Sequence, residues 1–190
     1  MIYLISGFVT LGIIGGVNFT KSLPPVNEII KVKSTIDNQM YRVQSGKDKQ
    51  DAADLMAQIR INIDKLINYL HDNQDLDPKI SNLIRRYNPQ AFLEANLQNS
   101  TTSYSVNKGE QVVICLRSKE QYGKLHKLNT LMYVVIHEMA HLMSDSIGHT
   151  EEFYKNFDFL LSISQKLGIY KYINYANSPT EYCGMMITDS

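Results

Sequence analysis

Apolar and polar residues alternate in two separate parts of the chain, and each part predicts a β-hairpin. The first hairpin pairs residues 29–36 with residues 40–43, and the second pairs residues 102–106 with residues 111–117. Alternation at period two places every second side chain on the same face of a strand. Asn107-Lys108-Gly109 joins the second pair and is typical of a tight turn. The nearly continuous apolar run after it indicates a strand covered on both faces.

Helical periodicity replaces the alternation between residues 48 and 71 and predicts a long amphipathic helix. A shorter helix is predicted from Asp77 to Tyr87, because Asp followed by Pro is a favourable helix start. Residues 92–97 predict one further helical turn, and Arg85-Arg86 is expected on a solvated face. The apolar stripe of the long helix consists of Ala52, Leu55, Met56, Ile59, Ile63, Leu66, Ile67 and Leu70.

A third, almost wholly apolar helix is predicted to begin at a cap formed by Asn129 or Thr130 and to reach Met143. The next helix is capped by Thr150 and ends near Leu167. Before these helices, His126 is expected in an exposed loop. The tail after them is rich in tyrosine and too apolar for a disordered segment, so it is expected to fold back on the domain.

Three polar residues interrupt the apolar helix, and they have the spacing of a metal site. His137 and His141 are four residues apart, so both imidazoles project from one helix face. Two neutral imidazoles so placed can bind one zinc ion at about 2.0–2.1 Å. Glu138 can take a proton from a water molecule activated by the metal. A purely structural role is less favourable, because each buried polar group costs about 1–3 kcal/mol if unpaired.

His149 is predicted to be the third ligand. Gly148 can adopt the left-handed conformation that turns a chain after a helix, so His149 can fold back toward the first two histidines. Glu151 and Glu152 are alternative ligands, but their position is also explained by the favourable charge of acids at a helix start. Asp145 is a further alternative, expected in the fraying end of the preceding helix.

These residues resemble the zincin metallopeptidases of the WLM and SprT-like group. The resemblance is carried by His137-Glu138-x-x-His141 and by Gly148-His149-x-x-x-Phe153, and it covers about residues 110–165. Forms from large DNA viruses are the most similar. The interval between the second and third histidines is longer than in many members. Ser144 stands where metzincins carry glycine, so the chain is not a metzincin.

The resemblance implies an α+β, zincin-like fold, in which a small twisted sheet of hairpins packs against helices around the central His-Glu-x-x-His helix. It implies a zinc-dependent peptidase of the endopeptidase type, with Zn²⁺ held by His137, His141 and His149 and with Glu138 as the general base. The hairpin at residues 102–117 is then the candidate for pairing with an extended protein or peptide substrate.

The resemblance also implies a hydrogen-bond donor for the oxyanion that forms during peptide hydrolysis. Tyr182 is the candidate, because Pro179 and Gly184 bracket it in a rigid turn and a phenol is neutral at pH 7. The alternative is that Tyr182 only packs against the core. Met185 is expected to pack beneath the histidines.

The overall composition limits the classes of partner. Nineteen basic and nineteen acidic side chains cancel, so a general nucleic-acid-binding surface is not indicated. Cys115 and Cys183 are too few for a disulfide scaffold. Their apolar surroundings favour two free buried thiols, although a single bridge between them is an open alternative.

The first 19 residues contain no charged side chain and are just long enough to span a bilayer. They predict an uncleaved membrane anchor, followed by a linker at residues 20–28 and the metallopeptidase domain at residues 29–190. The positive-inside tendency slightly favours a cytoplasmic domain, because the anchor is followed by Lys21, Lys31 and Lys33. Two other functions remain open: an inactive zinc-bound domain that binds peptides, and a membrane-anchored structural protein without metal.

Overall fold

The computed structural model describes residues 28–73, 77–96, 102–121 and 123–188. These residues form seven strands and four helices, and five of the strands make one mixed sheet in the order β1-β2-β3-β5-β4. The predicted α+β fold is therefore confirmed. The elements are β1 (Ile29–Lys33), β2 (Met40–Gln44), α1 (Lys49–Asn73), α2 (Pro78–Arg86), β3 (Phe92–Glu94), β4 (Tyr104–Val106), β5 (Gln111–Ile114), α3 (Leu128–Met143), α4 (Glu151–Lys166), β6 (Thr180–Tyr182) and β7 (Met185–Ile187).

Both predicted hairpins are present, and a strand that was not predicted joins them. β1 and β2 are antiparallel, as are β4 and β5, while β3 lies between β2 and β5 and is parallel to both. The predicted helical turn at residues 92–97 is wrong. Leu, Glu and Ala favour helix locally, but the Glu94 carboxylate accepts hydrogen bonds from the Gln44 backbone N–H (2.7 Å) and from Arg117 Nε (2.6 Å). These long-range contacts outweigh local propensity.

The helices form the other layer, with α3 at its centre. α3 packs against α1, α2 and α4, and most of its residues are buried. The stripe predicted for α1 faces this core, and Leu55 is its only predicted member that is half-buried rather than buried. The buried residues of α1 are Ala52, Ala53, Met56, Ala57, Ile59, Ile63, Leu66, Ile67 and Leu70.

The start of α3 differs from the prediction. The helix begins at Leu128, and the residue before it, Lys127, makes no side-chain capping bond, so neither Asn129 nor Thr130 is the cap. The Asn129 amide instead donates to the Lys171 carbonyl (2.9 Å) and accepts from the Lys171 backbone N–H (2.7 Å). Asn129 thereby holds the C-terminal tail against α3, and the tail folds back as expected.

A disulfide between Cys115 and Cys183 joins the end of β5 to the turn between β6 and β7. The prediction of two free thiols is therefore wrong. The two cysteines are 68 residues apart in sequence, and the folding back of the tail brings them together. Apolar surroundings of a cysteine indicate burial, which both residues show, but they carry no information about a distant partner.

The predicted membrane-anchored location is contradicted, because the helices within the described ranges include none that is both long and apolar enough to cross a bilayer. The run on which that prediction was based, residues 1–19, lies outside the described residues. The predicted division into residues 1–19, 20–28 and 29–190 stays a prediction.

Candidate metal centre

The structure brings the three predicted histidines together. His137 and His141 project from adjacent turns of α3, and His149 returns to them from the loop before α4. One ligand atom from each lies within 4.8 Å of the others, and Nε2 of His137 is 3.0 Å from Nε2 of His149. Two nitrogens bound to one tetrahedral zinc lie roughly 3.4 Å apart. The arrangement and the all-imidazole donor set therefore fit a zinc ion with an open fourth position.

Phe153 supports all three imidazoles from α4. Its ring centroid lies 4.7 Å from that of His137, 4.4 Å from that of His141 and 4.7 Å from that of His149. The Phe153 side chain is buried, so the rings pack on a fixed surface. This contact explains why an aromatic residue belongs one turn after the third histidine.

The loop between α3 and α4 is shaped by its own hydrogen bonds. Gly148 has a φ of 82°, which permits the turn immediately before the third histidine. The Thr150 hydroxyl caps α4 as predicted and also contacts the Ser146 hydroxyl at 2.6 Å. The Glu152 carboxylate accepts from the backbone N–H groups of Asp145 (3.2 Å) and Ser146 (3.0 Å). A hydrogen bond from the Ser146 side chain, followed by these two backbone hydrogen bonds, holds the pKa of Glu152 down to about 2.

The acids considered as alternative ligands are placed elsewhere. Asp145 accepts hydrogen bonds from Arg86 (2.9 Å) and Asn82 (3.1 Å). Glu151 is exposed and pairs with Lys155 at 2.6 Å. Glu152, as described, holds the backbone of the loop. Within the described residues, the three histidines are the group whose atoms could hold a metal ion.

Two cations cap the C-terminal end of α3. Lys108, in the β4–β5 turn, donates to the carbonyls of Ser144 (2.8 Å) and Ser146 (2.6 Å). Arg86 donates to the Leu142 carbonyl at 2.8 Å, so its prediction as part of a solvated face is wrong. Positive charge at a helix C-terminus is favourable, and here it also secures the loop that carries the third histidine.

Burial keeps two of the histidines neutral. Burial and, to a smaller extent, the charges of the two neighbouring imidazoles together lower the pKa of His137 to about 3. Burial, followed by the charges of His149 and Lys108, lowers the pKa of His141 to about 4. A neutral ring offers the lone pair that a metal requires.

Glu138 lies on α3 beside the histidines and is 4% exposed. Burial raises its pKa to about 7, and a hydrogen bond with the Ser105 side chain on β4 opposes this rise. A carboxyl group with a pKa near the working pH is suited to taking up and releasing a proton.

A cleft of about 830 Å³ connects these groups. All five predicted site residues line it, and so does β4, which forms one edge of the sheet. The five are His137, Glu138, His141, His149 and Tyr182.

Tyr182 lies in the cleft wall but is 2% exposed. Its hydroxyl forms a hydrogen bond with the Ser103 hydroxyl, which also accepts from the Cys115 backbone N–H at 2.9 Å. Burial raises the pKa of Tyr182. The hydrogen bond with Ser103 opposes this rise, and the negative charge of Glu138 adds to it. The phenol therefore stays neutral and within electrostatic range of Glu138.

Sequence reasoning missed two residues of this wall, Ser103 and Ser105, and also His126, which packs against Tyr182. His126 was expected in an exposed loop, but it is half-buried and accepts a hydrogen bond from the Cys183 backbone N–H at 3.2 Å. Ser103 and Ser105 contact Tyr182 and Glu138 respectively. Their alternate spacing on the predicted strand is the signal that could have found them, since residues two apart share one face. Met185, expected beneath the histidines, is 51% exposed in the cleft wall.

Comparisons with known proteins agree with this geometry. The WLM domain family model matches residues 80–179. An uncharacterized protein of Acanthamoeba polyphaga mimivirus is 36% identical over 98% of this chain and 96% of its own length. One from Invertebrate iridescent virus 6 is 33% identical over 84 residues, which cover 44% of this chain and 47% of that protein. The predicted likeness to proteins of large DNA viruses is therefore confirmed.

The crystal structure of Wss1 from Saccharomyces cerevisiae has a similar fold, with a TM-score of 0.51 and 20% sequence identity. The match covers 66% of this chain and 87% of Wss1. It supports the predicted zincin-like architecture around α3. By its sequence and its fold, the chain belongs to the WLM metallopeptidase family.

Proposed function

We propose that the chain is a zinc-dependent endopeptidase that hydrolyses protein or peptide substrates. The observation that carries this proposal is the convergence of His137, His141 and His149 beside the buried carboxyl group of Glu138 in one open cleft. When bound, zinc would lower the pKa of water toward about 7 and polarise the scissile carbonyl.

Glu138 is assigned the proton transfers. In its ionised form, the Glu138 carboxylate accepts a proton from the attacking water and then delivers it to the leaving amine. Its raised pKa, near 7, means that neither the ionised nor the protonated form is strongly disfavoured at neutral pH. The Ser105 side chain, which hydrogen-bonds to Glu138, keeps the carboxyl group oriented toward the cleft.

The edge strand β4 is assigned the binding of the substrate backbone. β4 is bonded to β5 on one side and ends the five-stranded sheet on the other. An extended peptide can add to such an edge through main-chain hydrogen bonds. Because β4 carries Ser105 and lines the same cleft as the histidines, a peptide paired with it would pass close to Glu138.

Tyr182 is assigned to stabilise the negative charge that develops on the scissile carbonyl oxygen. Its neutral phenol lines the cleft and is positioned by Ser103. Loss of such a donor typically lowers the rate by about 10²–10³-fold. Tyr182→Phe should therefore lower kcat while zinc content and melting temperature stay nearly unchanged, whereas a fall in stability that parallels activity would assign Tyr182 to packing.

Glu138→Gln tests the mechanism. The variant keeps the size of the side chain but removes the base, so we expect one zinc per chain and peptide cleavage lowered by about 10²–10⁴-fold. Glu151→Gln is the matched control, because Glu151 is exposed and outside the cleft, and it should cleave at the wild-type rate.

The same measurements separate the other functions. Stoichiometric zinc with no wild-type cleavage of any peptide would favour a peptide-binding domain. Protein that binds no zinc would refute the metal centre itself.

A further inference from the structure

Large exposed apolar side chains are concentrated around the cleft. Eight such residues occur in the described part of the chain, and four of them line this one cleft. Ile147 is 90% exposed, Tyr154 55%, Met185 51% and Met186 48%. We refer to these four residues as the apolar wall. An isolated exposed apolar side chain needs no explanation, but several around one opening indicate a binding surface.

The elements that carry the apolar wall are firmly placed. Ile147 belongs to the hydrogen-bonded loop before His149, and Tyr154 lies in the first turns of α4. Met185 and Met186 lie on β7, whose hairpin is joined to β5 by the disulfide at Cys183. The wall is therefore a built part of the cleft and lies next to the histidines.

The cleft offers little to a charged side chain. Apart from the histidines and tyrosines, the described residues that line it include two ionisable side chains, Lys108 and Glu138. The Lys108 ammonium group is occupied by the carbonyls at the end of α3, and Glu138 is buried. Recognition of an acidic or basic side chain would need an available opposite charge, so the chemistry of the lining favours apolar groups.

We propose that the apolar wall binds large apolar side chains of an extended peptide beside the scissile bond. The substrate class is then locally unfolded protein segments that contain such residues, because folded proteins bury them. Pairing with the edge strand β4 requires an extended backbone whose N–H and C=O groups are unpaired, and helices and strands already paired in a sheet do not supply one. Methionine is unbranched and flexible, so Met185 and Met186 can accommodate leucine, methionine or phenylalanine side chains. This inference rests on the proposed function.

The test uses the zinc-loaded full chain and a library of quenched fluorescent peptides that differ only in the residues flanking the central bond. Met185→Gln/Met186→Gln replaces both wall residues with polar side chains of similar length. Its matched control is Met40→Gln, because Met40 is also 51% exposed but lies on β2, away from the cleft. Ile147→Asn is the second wall variant, and at 90% exposure it should not disturb folding.

We expect the wild-type protein to cleave peptides with large apolar flanking residues preferentially. The ratio of kcat/KM for leucine peptides to that for glutamine peptides should fall by about tenfold in either wall variant. Met40→Gln should leave this ratio unchanged. Reduced and carboxymethylated ribonuclease A should be cleaved, and native ribonuclease A should resist.

Cleavage without an apolar preference, or equal selectivity in the wall variants, would overturn this inference while leaving the proposed peptidase intact. A second arm measures binding of a fluorescein-labelled leucine peptide to zinc-loaded Glu138→Gln by anisotropy. Binding that the wall variants weaken, with no cleavage by the wild-type protein, would support the wall and refute the peptidase. Neither cleavage nor binding would refute both.

Other occupants of the wall are also distinguished. Sedimentation that shows a dimer for the wild-type protein and a monomer for the wall variants, with unchanged selectivity, would assign the wall to self-association and overturn the inference. Protection of residues 1–19 from deuterium exchange that is lost in the wall variants, again with unchanged selectivity, would assign it to the N-terminal segment and overturn the inference too.

Discussion

The Cys115–Cys183 disulfide closes a covalent loop around both helices of the metal centre, and its removal should destabilise the protein substantially. The two cysteines are separated by 68 positions. In the chain-entropy model, a loop of this length lowers the free energy of the folded state relative to the unfolded state by about 4 kcal/mol. Whole domains of this size have unfolding free energies of only about 5–15 kcal/mol. One crosslink therefore accounts for a large share of the expected stability.

Cys115→Ala/Cys183→Ala is the suitable perturbation, because both cysteines are buried and alanine leaves no unpaired polar group. We expect its unfolding free energy to fall by about 2–5 kcal/mol in guanidinium titrations followed by circular dichroism. Chelator is present throughout, so that metal binding does not add to the measured difference. Wild-type protein reduced with a phosphine should unfold at the same denaturant concentration as the double variant.

Two results would refute this reasoning. Oxidised and reduced wild-type protein could unfold at the same denaturant concentration, which would show that the crosslink contributes no stability. Alternatively, denatured and unreduced protein could react with two equivalents of a thiol reagent, which would show that the crosslink does not form.

Three further predictions concern the metal, the backbone and pH. His149→Ala should sharply lower the zinc content from about one ion per chain by elemental analysis, whereas substitution of Glu151 should leave it stoichiometric. Gly109→Ala should lower the melting temperature more than Gly168→Ala. Both glycines have positive φ, but only at Gly109 would the new Cβ lie 2.6 Å from the Arg86 carbonyl oxygen. Equal losses of melting temperature would contradict the steric argument. Burial raises the pKa of five tyrosines above the value near 10 of the unfolded chain. The free energy of unfolding should therefore fall as pH rises above 10, by up to about 1.4 kcal/mol per pH unit for each tyrosine. A tyrosinate absorbance that appears before unfolding would contradict this prediction. The five are Tyr41, Tyr87, Tyr170, Tyr175 and Tyr182.

The parts of the site that depend on local geometry could be predicted from the sequence. Helical spacing alone places His137 and His141 on one face, and a positive-φ glycine is a local requirement of the turn before His149. The long amphipathic helix and both hairpins follow equally from short-range periodicity. These features need no knowledge of distant residues.

The parts that depend on contacts between distant segments could not be predicted. Glu94 becomes part of a strand because Gln44 and Arg117, far from it in sequence, bind its carboxylate. The pairing of the two cysteines and the burial of His126 likewise depend on where the tail docks. Short-range patterns reflect the secondary-structure propensity and the polarity of one segment. They do not indicate which distant segment it will contact.

The cations at the end of α3 have a consequence for the thermodynamics of metal capture. Lys108 and Arg86 bind the carbonyls of the segment that leads to His149, and Glu152 binds its amides. Ordering a free loop costs roughly 1–2 kcal/mol per residue in conformational entropy. Here folding meets that cost before any ion arrives, in contrast to zinc fingers, which are unfolded without metal. Zinc should therefore bind to an apoprotein that is already folded and preorganised, and the change in heat capacity on zinc binding should be small.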